Sequence, residues 1–194
     1  MRKIVFALLL FVSPAHAANT SIYTDFDLKK CKQLTPATSG EEGEGSGIVE
    51  CKGFKNYPVT FAEGDLRSFI AFGEDGQNHC SFHQTFSGFN SIGSKIEWRL
   101  KAGKAIATIF RWSVSYDPED SVKQKSWLVV TKLGQAESCQ MGFVEGGLPN
   151  ANEKARALAD TRAEDFSCVA DKATFIANPG TATVGIVTEG GCDP

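Results

Sequence analysis

The sequence predicts an α+β protein: an antiparallel sheet of about six or seven strands, with one amphipathic helix over residues 151–166 packed on one face. A β-sandwich with an appended helix is the alternative. Three observations point there. Between residues 95 and 145, runs of apolar residues recur with the alternation of half-buried strands. The links between those runs are short, which suits antiparallel neighbours. After Pro149-Asn150 the period changes, and Ala155, Leu158, Ala159, Ala163 and Phe166 recur at helical spacing.

In chain order, residues 1–17 read as a secretory signal peptide. Arg2 and Lys3 precede an apolar run from Ile4 to Val12, and Ala15-His16-Ala17 offers the small residues of a cleavage site. That run is too short to span a bilayer. Cleavage after Ala17 leaves residues 18–194 as one disulfide-stabilised domain, periplasmic or secreted, with no membrane span and a loose tail after residue 168. Asp25 to Leu28 reads as an edge strand. Ser39 to Gly47, with its glycines and glutamates, reads as a flexible solvated loop. Ile48–Cys51 and Tyr57–Ala62 are short strands around a turn at Gly53 to Asn56, and Leu66–Phe72 is a third. The clearest hairpin joins Lys95–Leu100 to Ala105–Ser115 through the turn Lys101 to Lys104, and puts Ile106, Phe110, Trp112 and Val114 on one face. Trp127–Leu133 and Gln140–Val144 follow. Asn150 and Glu153 have capping-box spacing at the start of the helix. One further strand is expected at Ala182–Val187.

Export decides how the cysteines read. All six lie beyond the leader, and six in an oxidising compartment imply three disulfides, with fifteen possible pairings. Pairing neighbours in sequence gives Cys31 with Cys51 and Cys139 with Cys168. Cys80 with Cys192 remains by elimination. Charge excludes another class. The chain carries a net charge of −3, and −5 once Arg2 and Lys3 are removed; general nucleic-acid binding needs a basic footprint.

Few residues point to chemistry. His79 and His83 are metal-ligand candidates, able to share an ion on a helix. On a strand they would stand about 13 Å apart. No nucleophile elbow, S-x-x-K pair, dinucleotide fingerprint or phosphate loop is present, so no catalytic residue and no cofactor is marked. Asp117 and Glu119 are the carboxylates a hydrolase reading would use. Lys95, Arg99, Lys101, Lys104 and Arg111 gather on the hairpin, the first three on one strand face, and with Lys29, Lys30 and Lys32 are candidates for an anionic glycan or an acidic periplasmic partner. Phe82, Phe86 and Phe89 sit in a glycine-flanked segment that reads either as core or as an exposed recognition loop.

The segments Tyr57-Pro-Val-Thr-Phe-Ala-Glu-Gly-Asp-Leu66, Ile96-Glu-Trp-Arg-Leu100, Thr108-Ile-Phe-Arg-Trp112 and Leu128-Val-Val-Thr-Lys-Leu133 resemble a family of small exported proteins of alpha-proteobacteria. The resemblance covers most of residues 22–168. It implies a single exported domain in the bacterial envelope and carries no activity and no catalytic residue. The expected function is a non-enzymatic periplasmic binding or inhibitor-like module. A carboxylate-based hydrolase and a metal-binding protein are the alternatives.

Overall fold

A computed structural model of the chain describes residues 18–37, 45–117, 122–134, 137–181 and 185–188. Its strands are β1 (Thr20–Asp25), β2 (Lys32–Gln33), β3 (Gly45–Phe54), β4 (Tyr57–Gly64), β5 (Arg67–Phe72), β6 (Gln84–Phe86), β7 (Asn90–Lys101), β8 (Lys104–Ser115), β9 (Gln124–Leu133), β10 (Ser138–Glu145), β11 (Thr174–Ile176) and β12 (Ile186–Thr188). The helix α1 (Ala151–Arg162) falls between β10 and β11.

These strands form a six-stranded sheet in the order β1-β7-β8-β9-β10-β11, a four-stranded sheet in the order β2-β3-β4-β5, and a small β12-β6 pair. The long hairpin β7–β8 anchors the larger sheet. Its alternation puts Ile96, Trp98, Phe110 and Trp112 on one face, where they share an apolar cluster with Val59, Phe61, Ile70 and Phe72 of the smaller sheet. The opposite face presents Ala107, Ile109, Val130 and Met141 to Ala151, Ala155, Leu158 and Ala159 of α1. The helix can lie close because its buried face is mostly alanine. A methyl at Gly142 of β10 would come within 2.7 Å of Leu158 Cδ1.

The chain is therefore sheet-rich α+β, with two corrections to the predicted sheet. There are two main sheets, and the larger is mixed: β11 runs parallel to β10. The cause is α1 itself, since a helix between two strands carries the chain back to the starting end and permits parallel pairing. The strand β11 lies in the stretch predicted as loose tail. It is held there by Glu145, whose Oε2 accepts from Asn178 N at 2.8 Å and Thr181 Oγ1 at 2.9 Å.

Several local expectations also change. The first strand is Thr20–Asp25, and residues 28–30 form a short turn instead of the strand expected from Asp25. The glycine-rich stretch predicted as loop enters β3 at Gly45. Gly47, at φ +74°, packs beside Thr35 and Pro36 where a side chain would collide. Ile106 does not join Phe110 and Trp112: the β7–β8 register shifts so that Arg99 faces Ala107 and Leu100 faces Ala105, leaving Ile106 as the extra residue of a bulge. The flip sends Ile106 to the helix-side cluster. The helix stops at Arg162, with residues 163–165 in a turn. Its capping box does not form, because Asn150 adopts a left-handed conformation (φ +57°) and its side chain makes no cap bond.

Cys31–Cys51 and Cys139–Cys168 are disulfides, the two neighbour pairings expected. Cys80 is disulfide-bonded too; its expected partner, Cys192, lies outside the described residues. The expected strand at 182–187 is met by β12 in part, residues 182–184 lying outside the description. No described helix is long and apolar enough to cross a membrane.

Candidate functional site

Two tight hairpins and one loop converge at one end of the paired sheets. In the β3–β4 hairpin Phe54 pairs with Tyr57, so Lys55 and Asn56 make a two-residue turn. In the β7–β8 hairpin Lys101 pairs with Lys104, leaving Ala102 and Gly103 at the turn. Lys55 (φ +51°), Ala102 (φ +47°) and Gly103 (φ +78°) take the left-handed conformations that such turns demand. The third wall is Gly73-Glu74, where the chain leaves β5. Gly73 sits at φ +123°, and a Cβ there would lie 3.0 Å from His79 Cε1. The positive φ favours glycine, and the imidazole leaves a side chain little room.

Between these segments lies a cleft of about 580 Å³, lined by residues that include Phe54, Lys55, Asn56, Tyr57, Glu74 and Lys104, within the size range of small-molecule sites. Its aromatic wall is fixed from beneath: Trp98 is fully buried, 5.9 Å from the Phe54 ring and 6.1 Å from the Tyr57 ring. Burial pushes the Tyr57 phenol above its ordinary value. Lys55 Nζ stands 5.0 Å over the Phe54 ring and donates to Gly103 O at 3.1 Å, joining the two hairpins. Lys55, Asn56, Glu74 and Lys104 are exposed at the rim. Among the described residues, neither Lys55 nor Lys104 has a carboxylate in ion-pairing contact, whereas Lys95, Arg99 and Lys101 each have one.

That contrast corrects the predicted basic face. Lys95 pairs with Asp25 at 2.5 Å, and Lys101 with Glu164. Arg99 is 6% exposed beneath α1, with Nε and Nη2 donating to the two oxygens of Asp160 at 3.0 and 2.5 Å. Beside it, Glu97 receives Arg156 Nε at 2.6 Å, and the Arg156 guanidinium is held above its ordinary value chiefly by that bond. Ser21 of β1 bridges the two pairs, accepting from Arg99 Nη1 and donating to Glu97. Glu97 and Arg99 of β7 are therefore tied into a closed network between β1 and α1, with Arg99 unavailable to a ligand, while Lys95 and Lys101 stay exposed in their ion pairs.

The phenylalanine segment is core in its larger part. Phe86 has no exposed surface and packs against Trp112, Trp127 and Phe143; Phe82 is 9% exposed. Phe89 alone is exposed, with the Arg67 guanidinium 5.8 Å from its ring.

The histidine cluster lies on two short 3₁₀ turns, residues 76–78 and 80–83, and so on neither a helix nor a strand long enough to set a ligand spacing. His79 is buried, with Nδ1 3.0 Å from Ser138 Oγ, which in turn lies 2.6 Å from Ser81 Oγ. Burial pushes the imidazole below its ordinary value, against the backbone carbonyls of Glu74 and Phe72, which favour its charged form. His83 turns to a different partner, Gln77 O, at 2.9 Å. Cys80 is committed to a disulfide. Among the described residues no three candidate ligands gather. The Ser-His constellation is sealed: Ser81 and Ser138 have no exposed surface. It braces the Gly73-Glu74 wall from behind. Asp117 pairs with Lys123 at 2.9 Å, and Glu119 lies outside the described residues.

No family model matches the chain, and comparison with curated proteins and solved structures yields no match. The cleft itself was missed in the sequence. Lys55-Asn56 and Ala102-Gly103 are each readable as turns, but nothing local says that they meet.

Proposed function

We propose that the protein is exported to the bacterial periplasm and serves there as a non-enzymatic binding or inhibitor-like module, taking its ligand in the cleft between the β3–β4 turn, Gly73-Glu74 and the β7–β8 turn. The leader-like residues 1–17, the disulfides and the resemblance to small exported alpha-proteobacterial proteins support the location. The observation that carries the binding reading is the construction of the cleft: tight hairpin turns over a buried tryptophan, with two lysines that have no carboxylate partner among the described residues. Sites held on rigid elements keep their geometry on binding, which limits the ordering cost. Among the described residues, the Ser-His group of His79, Ser81 and Ser138 is closed to solvent.

N-terminal sequencing of the product recovered from the periplasm is expected to start at Ala18. Hydrogen exchange of that product, with and without the small-molecule and glycan fraction of a periplasmic extract, is expected to show added protection at residues 53–57, 73–74 and 102–105. Protection confined to another surface, or none at all, defeats the reading.

A further inference from the structure

We infer that the ligand of this cleft is an acidic oligosaccharide, a chain of sugar rings bearing carboxylates. The inference rests on the cleft being the binding site and adds the chemistry it selects. The rim carries two ammonium groups, Lys55 and Lys104, together with the Asn56 amide and the Glu74 carboxylate. A simple anion would meet the lysines but bring no hydroxyl to donate to Glu74 or pair with Asn56. A neutral sugar would satisfy Asn56 and Glu74 through its hydroxyls but would bring no negative charge to the two ammonium groups. A sugar acid uses all four: its carboxylate meets the ammonium groups, and its hydroxyls donate to Glu74 and pair with Asn56. The cleft lining also includes the half-buried Phe54, which packs on Trp98 and offers apolar surface to a sugar ring.

For an anionic partner the sequence offered Lys95, Arg99, Lys101, Lys104 and Arg111 of the hairpin, together with Lys29, Lys30 and Lys32. Of these, Arg99 is closed under α1 by Asp160, while Lys95 and Lys101 form exposed ion pairs with Asp25 and Glu164. Lys104 of that set is brought by the packing of the two sheets to one cleft with Lys55, 49 positions earlier in the chain.

Isothermal titration of residues 18–194 with hexagalacturonate, maltohexaose and a hexaglutamate peptide tests the assignment. Hexagalacturonate is expected to bind saturably, at least tenfold tighter than either control. Its affinity should fall at least tenfold in Lys104→Glu and in Lys55→Gln, and should weaken as salt rises, since these charges are exposed. Phe54→Ala should weaken it with the charges intact. Both lysines are exposed, so unchanged melting of the lysine variants confirms that the fold is kept. Equal binding of maltohexaose, equal binding of the peptide, no binding of hexagalacturonate, or indifference to both lysine variants each overturns the acidic-sugar assignment. The binding reading fails separately, when the exchange experiment protects a surface other than the cleft.

Discussion

His79 shows how one residue's surroundings decide its role. Its spacing from His83 suits a metal, but its ring is buried against Ser138 and below Gly73, so it works as a brace. The same burial makes it a pH-sensitive element. In the folded protein the imidazole loses its proton at lower pH than in the unfolded chain. Between those two values the unfolded chain binds more protons, and stability rises with pH. Stability is therefore expected to fall as pH drops below about 6.5, by at most about 1.4 kcal/mol per pH unit from this group. In His79→Gln that share of the acid limb should vanish, although the variant is less stable at pH 7. Urea midpoints of both proteins at pH 7, 6 and 5 check this; parallel pH slopes would sink it. Arg99 teaches the same lesson. Its place in an alternating strand was legible, but the alternation does not say whether the polar face meets water or a helix carrying Asp160.

At the scale of elements, the long hairpin and the helix were legible because each is set by a local period. Their edges were not. The bulge at Ile106 depends on how β7 and β8 slide against one another, and the short strand β11 exists because α1 returns the chain beside β10. The seat of α1 is tight at one point, where Gly142 faces Leu158. Gly142→Ala is expected to destabilise by about 1–3 kcal/mol through overpacking. Leu158→Ala alone should cost about 2–5 kcal/mol as a cavity. Together they should cost less than their sum, because the added methyl fills space the leucine vacates. A double-mutant cycle by chemical denaturation reads the coupling. Strict additivity would mean that the helix shifts away instead of holding its place.

For the molecule as a whole, the disulfides brace the layers from different sides. Cys31–Cys51 ties the segment after β1 to β3 of the smaller sheet, and Cys139–Cys168 ties β10 to the chain just beyond α1. The second closes a separation of 29 residues. In the chain-entropy treatment its loss destabilises by about 3.5 kcal/mol. Cys139→Ala/Cys168→Ala is expected to show a loss of that order in urea denaturation, and faster exchange in α1 and β11. A change below about 1 kcal/mol would show that packing of the alanine face suffices to hold the helix.

Sequence alone determined what depends on neighbours along the chain: the alternation of the 95–115 hairpin, the helical period after Asn150, the turn at Ala102-Gly103, and the pairing of cysteines close in sequence. Only the tertiary structure decided which charges lie under the helix, which glycine packs against a neighbour's side chain, and which two lysines line one cleft. The physical reason is range. A strand or helix is written in a period of a few residues, whereas the cleft is written in the register and stacking of sheets whose contributing turns lie some fifty residues apart.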